Sequence, residues 1–177
     1  MTLWAGGTEA FLAVGWAEPA RALMDRAFGE PFSDEDWDHA LGGWHVLVHD
    51  SGRVLSHGSV VPRRLRVGDR PVLCGYVEAV GTEPAHQGAG LGSAVMGELG
   101  AYIQAHYELG ALCTGSTSFY ARLGWVRWRG PTWAEGPERR VRTADEDGNV
   151  LVLPTARFPD PEPTTDLVCD WRSGDLW

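Results

Sequence analysis

The sequence predicts an α+β domain built around a mixed, mostly antiparallel central sheet flanked by helices. Three observations carry this reading. Alternating apolar runs at 44–50 and 53–61, and a further run at 74–82, are separated by turn signals of the kind that join hairpins. Residues 91–108 form one long segment with apolar side chains at helical spacing. After it, short strand, helix and strand patterns follow one another through residue 128.

Taken in order, residues 18–28 (EPARALMDRAF) place Ala22, Leu23, Arg26 and Ala27 at helical spacing. Ser33 opens a second helix, with Asp36 three residues on as a capping-box-like partner, and "LGG" at 41–43 ends it. "WHVLVHD" alternates as a strand, "DSG" at 50–52 turns, and "RVLSHGSVV" returns until Pro62 closes it. "RRLRV", "GDR" and "PVLCGYVEAVGT" make a further hairpin. The long helix sets Leu91, Val95, Leu99, Tyr102 and His106 on one face. "ALCT" and "WVRW" are short strands on either side of the helix "SFYARLG". "DEDGN" at 145–149 is a turn between "RRVRT" and "VLVLP", residues 154–166 are proline-rich and irregular, and "DLVCDW" is a last strand. No internal repeat is present.

The chain of 177 residues suits a single domain, 1–177, with a sizeable core. No apolar window is long enough to span a membrane, and the N-terminus lacks the order of a signal peptide. Three scattered cysteines, at 74, 113 and 169, point to a reducing cytoplasm rather than a disulfide framework. A net charge of −9 argues against nucleic acid and is compatible with a cationic substrate or with solubility alone. All 15 basic residues are arginine, which excludes a Walker A lysine and a Schiff-base site. His45 and His49, four apart on a strand, stand roughly 13 Å from each other, too far to share zinc, and no metal site is expected.

The most informative stretch is "TEPAHQGAGLGSAVM", 82–96. Gly88, Gly90 and Gly92 stand between a strand and the long helix, where free amides and the helix dipole make an anion site. A turn that only packs the helix is the structural alternative. A dinucleotide fingerprint fits poorly, since its last position is Ser93 and hairpins precede it. The pattern Gln87-x-x-Gly90-x-Gly92 resembles the coenzyme A pyrophosphate loop of GCN5-related N-acetyltransferases (GNAT). "CGYVEAVGT" fits the strand before that loop, and "SFYARLGW" supplies the tyrosine near the coenzyme sulfur.

Further segments resemble the aminoglycoside 2′-N-acetyltransferases within that superfamily: "DWDHALGG", "YELGALC", "FYARLGWVRWRGPT", "DEDGNVLVLP" and "CDWRSGDLW". Residues 1–15 are unlike that family. The resemblance implies a GNAT fold, a homodimer, acetyl-CoA as donor and acetylation of the 2′-amine of gentamicin-, tobramycin- or kanamycin B-like drugs. It makes Glu78 the catalytic base or amine-binding group and Tyr120 the acid at the leaving thiolate. It assigns the cofactor to Val80, Gly81, Thr82, Gln87, Gly88, Ala89, Gly90, Leu91, Gly92 and Ser93. It assigns the cationic sugar to Asp36, Glu78, Ala79, Cys113, Glu146, Asp147, Asp175 and Trp177. Glu146 and Cys113 stand where the family has aspartate and serine. Trp171 and Trp177 are expected to anchor the tail by burial, so that Asp175 and the Trp177 carboxylate close over the sugar. Two alternatives stay open: the same chemistry on another amine (a cell-wall amino sugar, a polyamine or a protein N-terminus), and a non-catalytic acyl-CoA-binding sensor.

Overall fold

The protein is described by a computed structural model covering residues 1–177. The chain begins with β1 (Thr2–Gly7), α1 (Thr8–Val14), α2 (Ala17–Phe28) and α3 (Asp34–Ala40). The strands β2 (Trp44–Asp50), β3 (Arg53–Val67) and β4 (Arg70–Thr82) lead to α4 (Leu91–His106). Then come β5 (Leu109–Cys113), α5 (Thr117–Ala121), β6 (Val126–Arg127), β7 (Thr132–Glu135), β8 (Arg140–Arg142), β9 (Val150–Pro154) and β10 (Leu167–Asp170). The chain divides into two compact units: Met1–Val61 with Val77–Ala101, and Pro62–Tyr76 with Tyr102–Trp177.

In the first unit β1 pairs antiparallel with β2, and β2 with β3, in a register that sets Leu47 opposite His57. Helices α1, α2 and α3 bury Phe11, Ala20, Leu23, Met24, Trp37 and Ala40 against Leu47, Val54 and Ala79. Each large apolar side chain buried this way contributes about 1.5–3 kcal/mol. The Ser33–Asp36 pair caps α3 as expected: the Asp36 amide donates to Ser33 Oγ at 3.0 Å, and the Ser33 hydroxyl donates to the Asp36 carboxylate at 2.7 Å. Helix α4 lies so close to β3 that a Cβ at Gly58 would meet Leu99 Cδ1 at 2.9 Å.

In the second unit the strand order is β6-β9-β5-β4-β3-β10-β7-β8. The β4–β5 and β10–β7 pairs are parallel, and β5–β9, β6–β9, β7–β8 and β3–β10 are antiparallel. Trp128 is wholly buried and donates its indole N–H to the Thr165 carbonyl at 3.0 Å. Arg63, only 5% exposed, binds the Asp170 carboxylate through Nε and the carbonyls of Asp170 and Leu176 through its other nitrogens, all at 2.8 Å.

The mixed sheet with flanking helices agrees with the sequence-based reading. Several elements correct it in detail. Pro62 does not close a strand; β3 runs through it. Its ladder with β2 ends at Val60 and that with β10 starts at Leu65, so Pro62 sits in the gap between those two ladders. The buried face of α4 is Val95, Met96, Leu99 and Ile103, whereas His106 is exposed. Strands β1 and β7 and helix α1 were not anticipated. No helix is long and apolar enough to cross a membrane.

Candidate active site

The C-terminal half of β4, in the first unit, carries Glu78, Val80 and Thr82 half-buried, alternating with buried Ala79 and Gly81. Ala79 has φ +48°, a left-handed conformation that costs a residue with a Cβ about 1–3 kcal/mol. The carbonyls around it are held by side chains from β3. His57 Nδ1 reaches the Ala79 carbonyl at 2.9 Å, and the Ser56 and Ser59 hydroxyls donate to the Gly81 and Glu78 carbonyls at 3.1 and 3.4 Å. Ser56 Oγ also lies 2.9 Å from Thr82 Oγ1.

Glu83 anchors the end of this strand. Its carboxylate, 8% exposed, is bound by Arg26 at 3.0 Å and Arg53 at 3.1 Å. Burial alone would raise its pKa; the two guanidiniums outweigh burial and hold it below the usual carboxylate value. Sequence reasoning passed over Glu83, because its partners are distant in the chain. Beyond it, the Gln87 side-chain amide donates through Nε2 to the Thr82 carbonyl at 3.3 Å and ties the loop back to the strand. Gly88 and Gly90 have φ +78° and +84°, and a Cβ at either would meet nothing within 4 Å. The first helical bond of α4 runs from the Ala94 amide to the Gly90 carbonyl at 3.0 Å. The amides of Leu91, Gly92 and Ser93 therefore have no acceptor within the helix. Gln87 to Gly90 and Ser93 are exposed, and Leu91 and Gly92 half-buried. Open glycines, free amides and a helix dipole together fit a diphosphate. Asp36 stays at the start of α3 as the partner of Ser33.

In the second unit Tyr120 is 8% exposed, with Phe119 and Trp125 edge-on at 4.9 and 6.3 Å between centroids. Burial pushes its phenol up to about 12, so it remains protonated and is a hydrogen-bond donor. Cys113 and Glu146 come together, with the thiol donating to the Glu146 carboxylate at 3.1 Å. Asp147 accepts from the Thr132 amide and hydroxyl, both at 3.0 Å, and from Arg142 through both oxygens. The Arg142 hydrogen bond, against a smaller opposing effect of burial, holds Asp147 down at about 2. Its carboxylate thus braces the turn that presents Glu146. The tail closes on the same region. Trp177, 7% exposed, donates its indole N–H to Thr143 Oγ1 at 2.9 Å, and Arg172 Nε donates to the Asp175 carbonyl. The expectation that both tail tryptophans are buried holds for Trp177 and fails for Trp171, which is 48% exposed and leaves its neighbours to hold the segment.

This fold, with a glycine-rich anion loop opening a helix directly after a strand that carries a left-handed residue, defines an acyltransferase of the coenzyme A-dependent type. Residues 16–127 match the acetyltransferase (GNAT) domain, and the chain belongs to the GNAT family. GNAT acetyltransferases use acetyl-CoA. The chain is also 40% identical over 164 residues to the aminoglycoside 2′-N-acetyltransferase of Mycolicibacterium fortuitum, covering 90% of this chain and 84% of that protein. Among solved structures, a GNAT acetyltransferase from Brucella melitensis in complex with acetyl-CoA superposes with a TM-score of 0.62 at 17% identity over 97% of each chain. A GCN5-related N-acetyltransferase from Kribbella flavida matches 73% of this chain at 21% identity with a TM-score of 0.59, and the chain spans about a third (34%) of its length. Both likenesses speak for the fold.

Proposed function

We propose that residues 1–177 act as one N-acetyltransferase domain that moves the acetyl group of acetyl-CoA to the 2′-amine of an aminoglycoside by direct attack in a ternary complex. The observation that carries this reading is the 40% identity over 90% of the chain to an enzyme named for that reaction. In this reaction an amine bound as its ammonium first gives up one proton. The neutral nitrogen then bonds to the acetyl carbon, the carbon–sulfur bond breaks, and a second proton leaves the nitrogen, which balances the thiolate released. Glu78 takes the first of these protons, directly or through water. The Tyr120 hydroxyl donates a hydrogen bond to the departing sulfur. Full transfer from a phenol near 12 to a thiolate of ordinary pKa, about 8.5, is uphill by about 3.5 pH units, so hydrogen bonding is the larger part of its role.

The amides after Gly90 hold the diphosphate, and Val80 to Thr82 line the pantetheine. Glu146, backed by Asp147 and Cys113, and Asp36, Ala79, Asp175 and Trp177 serve the cationic sugar. A homodimer is part of this reading, and the exposed Val141 and Trp171 offer apolar surface for it. Three free cysteines suit a reducing cytoplasm.

The reading is tested by incubating the protein with acetyl-CoA and gentamicin, following thiol release, and locating the new amide by NMR of the product. An acetyl group on the 2′-nitrogen is expected; an acetyl group on another nitrogen overturns the assignment. The loop has its own test. Gly90→Val forces a β-branched residue into the left-handed region and is expected to raise KM for acetyl-CoA by roughly tenfold or more. An unchanged KM would remove this loop as the diphosphate site.

A further inference from the structure

The first unit contains a buried chain of polar groups that the acyl-transfer chemistry leaves unused. Thr8 is the first residue of α1, and its Oγ1 accepts the amides of Gly42 and Gly43, both at 3.0 Å. The same oxygen lies 2.9 Å from Nε2 of His45. Nδ1 of His45 lies 3.1 Å from Nε2 of His57, and Nδ1 of His57 lies 2.9 Å from the Ala79 carbonyl.

One arrangement of protons satisfies every link. A carbonyl only accepts, so His57 carries its proton on Nδ1 and donates it. Its Nε2 then accepts from Nδ1–H of His45, and Nε2 of His45 accepts from the Thr8 hydroxyl. The competing acceptor for that hydroxyl, the Gly43 carbonyl, is farther away at 3.1 Å. Both imidazoles are wholly buried, with Phe11 stacked on His45 at 3.9 Å between centroids and Trp37 at 6.0 Å from His57. Burial, joined at His45 by the charge of His57, lowers His45 to about 3. Burial likewise lowers His57 to about 4, against the bond to Ala79, so both stay neutral.

The far end of this chain is the one non-glycine residue of β4 in a left-handed conformation. A residue with a Cβ keeps such a conformation only where its surroundings fix it. We propose that Thr8, His45 and His57 are positioning residues: His57, fixed by the other two, locks the Ala79 carbonyl and so aims Glu78 before it and Val80 after it. The proposal rests on the acyl-transfer reading given above. Relaxing Ala79 to ordinary extended geometry would redirect neighbouring side chains, because successive strand residues point to opposite faces. Thr8, on the N-terminal segment, thereby steadies the histidines that anchor the reacting strand.

Two arms test this. In protein labelled with 15N-histidine, NMR is expected to show His57 protonated at Nδ1 and bare at Nε2. In uniformly labelled protein, a strong intraresidue amide–Hα NOE at Ala79 is expected to report positive φ in the parent and to weaken in His57→Leu. In kinetics, His57→Leu is expected to lower kcat by about tenfold or more, as small misplacements do, and to raise KM for acetyl-CoA by a smaller factor. His57→Asn, whose side-chain N–H sits near the position of Nδ1, should restore most of kcat. Ala79→Gly should shrink the effect of His57→Leu, because glycine takes positive φ without support. If His57→Leu does not fold, Thr8→Val, which removes the last donor together with the acceptor for the Gly42 and Gly43 amides, carries both arms with smaller changes in the same direction. A positive φ at Ala79 that survives the loss of His57 overturns the proposal. So does a loss of kcat that is equal whether or not Ala79→Gly is present. The NMR arm needs no acceptor, so parental inactivity with an intact NMR result counts against the acceptor reading alone.

Discussion

Replacing Glu78 by glutamine is expected to lower kcat about 10²-fold or more near pH 6, with the loss shrinking toward alkaline pH. Glutamine keeps the shape of the side chain and removes only the carboxylate, so β4 and its left-handed Ala79 should survive. The acceptor amine must be neutral to attack. At low pH it arrives protonated, and a carboxylate beside it has a proton to remove. At high pH it arrives neutral, and the carboxylate matters less. A pH–rate profile of kcat/KM for both proteins decides the point. Parallel profiles separated by a constant factor remove Glu78 as the base and leave it an amine-binding group.

The second large effect is on stability in mild acid. His45 and His57 are held neutral in the fold, at about 3 and 4, against an ordinary value of 6.5. In the unfolded chain both take up protons as the pH falls through 6.5, while the folded chain does not. Their contribution is therefore fully present above 6.5 and is lost progressively from about 6.5 down to about 4 for His57 and about 3 for His45. Each proton contributes a slope of about 1.4 kcal/mol per pH unit, so the slope for the pair approaches about 2.7 kcal/mol per pH unit near pH 5. Glu83 and Asp147 have lowered values, from 4.5 and 3.8, and lose their contributions as the pH falls below those ordinary values, so they add little to the slope between pH 7 and 5. Denaturant unfolding at pH 7, 6 and 5 is expected to show this slope, and a protein with His45 and His57 both replaced by apolar residues should show much less of it. A flat parental profile would mean that the buried pair is already charged, or is not buried.

Much of this was legible in the chain. The β2–β3 hairpin, β4 and α4 declare themselves through alternation, turn residues and apolar spacing. The Gln87-x-x-Gly90-x-Gly92 loop is local chemistry, since glycine at a helix start means the same thing whatever the tertiary context. Other parts depend on distant partners. β1 is "TLWAGG", with glycine where a strand gains least, and it exists because β2 pairs with it along its whole length. α1 has seven residues, too short to form without the core around Phe11. β7 pairs in parallel with β10, some 35 residues later, and a parallel partner leaves no turn signal between the two. The histidines show the same limit. Reading along one strand compared His45 with His49 and rejected a metal site. The partner of His45 is His57 on the next strand, reached because the register sets His57 beside Leu47. Its consequence at Ala79 lies a further strand away.

The central claim is that the acceptor is a 2′-amine. It is tested most directly by thiol release from acetyl-CoA with gentamicin, with amikacin, which has a hydroxyl at the 2′ position, and with no acceptor. Release with gentamicin, and background rates with amikacin and with none, is the predicted result. Equal turnover of gentamicin and amikacin would contradict the claim, and no release above background with either drug would point to another amine or to an acyl-CoA sensor.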